Sequence, residues 1–415
     1  MSVLPVLTLL IVLDGEIPDP DRNAHDVWAN QLVHTGRLVI SHNGVVDDWQ
    51  IYYPNTVPKP LELIMGFIRM PGGIFYRSIV VFLTAFMVVA AVWNSAGRGQ
   101  AGLEAALFLG FNPVFLLLAV TSSSAVLFLG SMFLLQSKNR SGIGAVLASL
   151  ARPEGFIYSG YHSLKNRKWK LVSVLAFIAA GWLVFHRTSC GSFTWAADEV
   201  KYSVAAMAYP TANPVTFFPW AALRSVLVLG APVAAILFLF FRKWQLHWPF
   251  TANFVLLAVS LAMGSLVLPR YIDQLFLLAV PFVFVEIHKL FNGRVRTAAA
   301  VAVILFPSVQ WISTVPEIKQ YMELREAYNS FELPEHGLTA ANELLIPGFC
   351  LNLGIDDPSG LFVSVDKAAY SNASESSLAE LGVTRIVILD EGVYFPEHTA
   401  RWLETVKNIE VDYFR

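Results

Sequence analysis

Two kinds of chemically competent side chain occupy separate stretches of this chain. Acids crowd the first. Asp21 stands just before Ala24–Val33, and His25 and Asp26 fall in that segment's first turn, where Val27, Trp28, Gln31 and Leu32 have the spacing of an amphipathic helix. A carboxylate held there can take a proton from a hydroxyl. Asp also caps helices and complements their dipole, which accounts for one of these acids but not for the group. Cations sit where apolar segments begin or break. Lys59 precedes the amphipathic Pro60–Ile68, Arg152 lies in Ala151-Arg152-Pro153-Glu154-Gly155, and Arg270 with Tyr271 leads into an apolar run. An arginine fork grips a phosphate through two bonds, where a lysine acts as a point charge. Plainer roles exist too. Arg270 beside Tyr271 suits a snorkelling cation in an aromatic belt, and Arg152 suits a salt bridge to Glu154.

What must position these residues is a set of long apolar segments. Of the 415 residues, 55% are hydrophobic and only 14% charged, whereas soluble domains carry about 25% charged residues to hydrate their surfaces. The mean hydropathy is +0.54. The runs Ser78–Trp93, Trp169–His186, Trp220–Phe241, Trp248–Leu268, Leu275–Phe291 and Thr297–Trp311 each approach the roughly 20 residues that cross a bilayer as a helix. A very apolar soluble α/β core would need polar faces at helical spacing, and these runs lack them. A net charge of −2 excludes a globally basic nucleic-acid binder.

Basic residues orient the path. The connections Ser95–Gln100, Ser137–Ser141, Lys165–Lys170, Phe241–His247 and Asn292–Arg296 carry Lys and Arg and no acid, so the positive-inside rule places them in the cytoplasm. The acid-rich Asp14–Arg77 then lies outside. Residues 1–13 cross outward, although they are short for a span and lack the basic start of a signal peptide. Residues 78–96 return, and 102–119 with 122–136 form an outward hairpin. Helices at 169–187, 218–241, 248–268, 273–291 and 297–314 alternate, leaving the tail outside, for about nine crossings. Gly142–Leu164 lies between two cytoplasmic basic loops and is broken at Pro153, which predicts two half-helices that dip in and return. Both surface segments, Ala24–Val33 and Pro60–Ile68, are expected to lie along the membrane.

From Pro316 charges become frequent. Leu361–Val365 and Arg385–Leu389 read as short buried strands, with helical spacing at Ser376–Leu381 and Glu397–Val406, which predicts a small α/β domain with some parallel pairing. Asn372-Ala373-Ser374 matches the glycosylation sequon. The expected fold is a polytopic α-helical membrane protein with a re-entrant hairpin and a small extracytoplasmic C-terminal α/β domain. Its transmembrane domain covers 1–314, including the external loop 14–77, and its soluble domain covers 315–415. The two cysteines, Cys190 and Cys350, lack metal-ligand spacing and both fall outside, either joined by a disulfide or as two free thiols.

The order of short motifs resembles the GT-C superfamily of polyprenyl- or dolichyl-phosphate-sugar-dependent glycosyltransferases. Asp21-Arg-Asn-Ala-His-Asp26 leads through Ala29 to Gly36 and then to Pro58-Lys59-Pro60-Leu61. Phe111-Asn112-Pro113 opens a helix, followed by Leu150-Ala-Arg152-Pro153-Glu154-Gly155 and Leu268-Pro269-Arg270-Tyr271. The external soluble tail looks most like the protein O-mannosyltransferase and aminoarabinose-transferase branch. Two features depart from the pattern. Pro58 stands where an acid often precedes the lysine, and Ser122-Ser123-Ser124 occupies a tip where relatives often carry Asp. Asp47 and Asp48 are the acids available to substitute.

The resemblance implies transfer of a hexose or pentose from a lipid-phosphate donor to a protein, lipid or glycan acceptor, outside the cytoplasm and at the plasma membrane. It places Asp21 at the family's catalytic acid, with Asp26 as the second choice for the base. Arg270 first and Lys59 second would meet the lipid phosphate, flanked by Tyr271, with Arg152 as a further contact. No cofactor is firmly implied, and the acids are compatible with a divalent cation. Two other readings remain: a transporter or lipid flippase, favoured by the break at Pro153, and an inactive scaffold, suggested by the missing acids.

Overall fold

The computed structural model describes residues 20–35, 59–69, 74–121, 123–137, 139–190, 193, 228, 269–305, 307–343, 345–389 and 397–414. The chain is mostly helical, with one small parallel sheet, and divides into two compact units. A helical unit comprises Met1–Ile17, Lys59–Ala180 and Ala212–Gln320, and a mixed unit comprises Pro18–Pro58, Gly181–Thr211 and Tyr321–Arg415. The expected spans at 1–13, 218–241 (apart from Val228) and 248–268 lie outside the described residues, as do Asp47 and Asp48.

In chain order the helices through the helical unit are α1 (Pro20–Thr35, which belongs to the mixed unit), α2 (Pro60–Arg69), α3 (Ile74–Ser95), α4 (Gln100–Phe111), α5 (Pro113–Thr121), α6 (Ser123–Gln136), α7 (Ser141–Ala151), α8 (Glu154–Lys165), α9 (Trp169–Cys190), α10 (Pro269–Leu290), α11 (Gly293–Leu305) and α12 (Pro307–Ser330). Among the described residues, Ser78–Ser95 of α3 is long and apolar enough to cross a bilayer, and α4 with α5 would be a second such span if the bent pair is one unit. On α3 the residues Val80, Val81, Ala85, Val88, Ala91 and Val92 are buried, while Ile79, Leu83, Phe86, Met87 and Trp93 are exposed. Apolar side chains therefore cover both faces of this helix. On α9, Trp169, Val174, Phe177 and Val184 are likewise exposed, Phe177 to 80%.

Proline interrupts one expected helix. The segment 102–119 is not one straight helix but α4 and α5, bent by 63° at Asn112. Pro113 has no N–H with which to continue α4. Asn112 instead caps α5: its Oδ1 accepts the Phe115 N–H at 3.0 Å, and its Nδ2 donates to the Val228 carbonyl at 2.7 Å. The expected helix 297–314 falls on α11 and the start of α12, with residue 306 between them outside the described residues.

Helices α7 and α8 form a tight antiparallel hairpin around Arg152-Pro153. The Ser159 hydroxyl donates to the Ala145 carbonyl at 2.8 Å, and Lys168 Nζ donates to the Ser141 hydroxyl at 2.7 Å. Two glycines permit the packing. A Cβ on Gly155 would lie 1.9 Å from the Ala148 carbonyl oxygen, and one on Gly144 would lie 2.1 Å from the Leu135 backbone nitrogen on α6. Small residues let backbones approach where no side chain needs room.

The mixed unit is a three-layer α/β sandwich. Strands β1 (Leu338–Ala341), β2 (Phe362–Ser364), β3 (Val383–Leu389) and β4 (Glu410–Phe414) run parallel in the order β2-β1-β3-β4. Helices α13 (Ile346–Leu353), α14 (Val365–Tyr370), α15 (Glu375–Glu380) and α16 (Glu397–Leu403) connect them. Strand side chains alternate between faces. Ala340, Ile386 and Ile388 meet Ala368, Leu378 and Trp402 of α14, α15 and α16. Ala341, Val387 and Leu389 meet Leu324, Tyr328, Phe349 and Val27. Phe331 and Phe349 stack at 3.9 Å within this second core. Cys350 is a buried free thiol in it, so the disulfide with Cys190 is not formed.

Val27 brings α1 into that core, and this corrects the expected surface placement of Ala24–Val33. Val27, Trp28 and Ala29 are fully buried, and the neighbouring polar residues His25, Asp26 and Gln31 are buried as well. Burial nearly all round marks an internal helix rather than one with a polar face in water.

Gly155→Ala should destabilise the hairpin by about 1–3 kcal/mol through overpacking against Ala148, read as a lowered Tm in nanodiscs. Gly142→Ala, where an added Cβ meets nothing within 4 Å, should leave Tm unchanged or slightly raised.

Candidate functional site

The break between α7 and α8 creates the cationic corner of the helical unit. Pro153 excludes helical backbone at the preceding residue, so Arg152 is extended, with φ −155° and ψ 149°. Its side chain is buried, and Nη1 donates to Gln274 Oε1 at 3.0 Å. The guanidinium also lies 5.9 Å from the Phe128 ring centre, a cation–π distance. Gln274 and the neighbouring Asp273, both buried, sit near the start of α10, whose first turn carries Arg270 and Tyr271. One hydrogen bond thus ties the chain break to the helix bearing the other predicted arginine.

Lys59 stands at the entrance to α2, where its carbonyl accepts the Leu63 N–H at 2.9 Å and its side chain is half-exposed. Helix α2 packs against α6 and α7, so its entrance, Arg152 and the Arg270 turn belong to one packed unit. Within α2, Glu62 and Arg69 form a buried ion pair at 3.2 Å, each 1% exposed.

Asp21 and Asp26 belong to α1 and hence to the mixed unit. The helix begins at Pro20, earlier than the sequence spacing predicts. Asp21 therefore lies in its first turn, where a carboxylate complements the dipole, and His25 and Asp26 move to the second turn. His25 is fully buried and meets Trp28 edge-on at 5.1 Å. His34, in the last turn, reaches Asp356 at 3.0 Å. Among the described residues no three His, Cys, Asp or Glu side chains converge as ion ligands.

Sequence reasoning missed a polar cluster on α4, α10 and α11. Glu104 Oε2 lies 2.7 Å from His288 Nε2, and Gln100 donates to the other Glu104 oxygen at 3.0 Å. Arg296 donates to Gln100 at 3.1 Å, while Lys289 donates to the buried Glu286 at 2.6 Å. The signal was present: Glu104 and Glu286 are acids inside apolar runs, where an ionisable group needs a partner.

A second missed cluster lies in the mixed unit, where β1 and β3 send their connections to opposite sides of the sheet. Such switch points are the usual ligand crevices of open α/β sheets. Here the chain's own side chains occupy it. Asn342 Oδ1 accepts the Leu389 N–H at 2.8 Å, and its Nδ2 donates to Asp366 Oδ1 at 3.1 Å. The Glu343 N–H donates to Asp366 Oδ2 at 2.8 Å, and Lys367 Nζ lies 3.8 Å from the Glu343 carboxylate. All four residues are buried. Burial first, and the Glu343 charge second, push the Asp366 carboxyl up to about 7, against the hydrogen bonds that favour its anion.

The chain matches no protein-family model, no curated protein and no solved structure.

Because Asp366 keeps its proton in the fold to higher pH than in the unfolded chain, the mixed unit should lose stability as pH rises from about 4 to about 7, with no further loss from this group above that. Tm against pH should show that fall. Asp366→Asn should flatten it while lowering Tm at pH 4, because an amide cannot accept from both donors.

Proposed function

We propose that this chain is an integral membrane glycosyltransferase. It moves a sugar from a polyprenyl- or dolichyl-phosphate donor to an acceptor outside the cytoplasm. The observation that carries this reading is the buried guanidinium of Arg152, held by Gln274 on the helix that carries Arg270 and Tyr271. An ionisable group held at a chain break inside an apolar unit is expensive to keep there, and such residues mark substrate or ion sites. The doubly apolar faces of α3 and α9 support placing the helical unit in a bilayer, with about nine crossings and the α7–α8 hairpin re-entrant. The external faces of the proposed path carry α1 and the mixed unit.

In this reading Asp21 removes the acceptor hydroxyl proton, with Asp26 as the second choice. The acceptor oxygen bonds to the anomeric carbon as the bond from that carbon to the phosphate oxygen breaks. Arg270 and Lys59 neutralise the lipid phosphate that leaves, with Arg152 as a further contact. A transporter or flippase is the second reading, favoured by helix breaks at Asn112 and Arg152 in one apolar unit.

Purified protein in nanodiscs, given radiolabelled lipid-phosphate sugars and a membrane extract, should release sugar to an acceptor. Asp21→Asn should cut that transfer roughly 100- to 10,000-fold. Arg270→Lys should lose activity as well, by substituting a point charge for the fork. Unchanged transfer in Asp21→Asn would overturn the assignment. Absence of release from every donor, with lipid movement across vesicles instead, would establish the transport reading.

A further inference from the structure

The mixed unit carries a cleft that the proposed chemistry leaves unused. It measures about 350 Å³ and opens between α14 and α16, near the lower end of the roughly 300–1,000 Å³ typical of small-molecule sites. Its walls are aromatic and its rim is polar. Trp402 is buried and fixed by its indole N–H, which donates to the Ala373 carbonyl at 2.8 Å. Tyr370, 44% exposed, stands edge-on to His398 at 6.1 Å and 84°, making an aromatic corner. Around it sit the exposed Asn372, Arg401 and Thr405. The Thr405 hydroxyl donates to the Trp402 carbonyl at 2.6 Å, and Arg401 approaches Glu397 at 3.9 Å with both side chains largely in solvent. Asn372 has φ +50°, a left-handed conformation that asparagine tolerates better than most residues, and this fixes where its amide begins.

We infer that this cleft binds a pyranose unit of a short saccharide. A pyranose ring presents a face of C–H groups and an edge of hydroxyls. Its binder therefore needs a flat apolar plate beside a few fixed donors and acceptors. Tyr370 supplies an exposed plate, His398 and Trp402 close the corner, and Asn372, Arg401 and Thr405 supply the polar edge. A purely apolar ligand would leave that edge unpaired. An extended peptide would find no free sheet edge in the cleft, which is walled by helices. That the bound sugar belongs to the acceptor rests on the glycosyltransferase reading; the binding itself does not.

Saturation-transfer NMR on the full chain in nanodiscs, free of glycoside detergent and of any lipid-linked donor, tests this with maltose and N,N′-diacetylchitobiose as probes. At least one should receive saturation, with millimolar affinity. Tyr370→Ala should weaken it about tenfold or more, and Asn372→Gly, which keeps the left-handed turn, should weaken it severalfold. Tyr413→Ala, on β4 and outside the cleft, should bind as the parent does. No transfer to either sugar, or equal binding by folded Tyr370→Ala with unchanged Tm, overturns the proposal. Because no donor is present, a transfer-dead enzyme that still binds sugar would refute the glycosyltransferase reading alone.

Discussion

Pro153 cannot donate the backbone hydrogen bond that would continue α7, and it pushes Arg152 into extended backbone. Much of the helical unit is arranged around that constraint. The chain must reverse, so α8 folds back on α7, and the return is close enough that only glycine fits at 155. The same extended residue turns a cation inward, away from water. A buried guanidinium is tolerated only with partners, and Gln274 and Phe128 come from two other helices to meet it. One imino acid thereby links α6, α7, α8 and α10.

The mixed unit solves a different problem with commoner means. Its parallel sheet is covered on both faces, which lets short strands such as Leu338–Ala341 survive without a polar side. Polar groups are concentrated at the strand ends, where Asn342 satisfies both a backbone donor from β3 and the Asp366 carboxylate. Burying Asp366, Glu343 and Lys367 together carries a cost in solvation that hydrogen bonds only partly offset.

How far the sequence discloses these arrangements depends on the range of the forces involved. Prolines act locally, so the breaks at Arg152-Pro153 and before Pro113 could be read from neighbouring residues, though a bend of 63° within 102–119 was not expected. Strands β2 and β3 were legible as apolar runs. Strand β1, Leu-Thr-Ala-Ala, and β4, with the charged Glu410 and Asp412 among its five residues, were not, because neighbouring strands rather than local propensity define them. The candidate site divides the same way. Arg152 was visible as a charge in an apolar segment, but Gln274 lies 122 residues away and carries no charge to betray it. Helix α1 misled because Val27, Trp28, Gln31 and Leu32 look amphipathic until a partner covers the rest of the helix.

Val27 shares a core with Leu324, Tyr328 and Phe331, some three hundred positions further along the chain. At about 5–20 residues per second, a ribosome takes roughly 15–60 s to supply those partners after α1 has emerged. During that interval Trp28 and its neighbours have no finished core to enter. The mixed unit closes only when β4 has been made, and its first helix must wait in the company of lipid, chaperone or translocation machinery. Biogenesis of this protein is therefore a problem of custody: a greasy early segment has to be kept from wrong partners until the last strand is made.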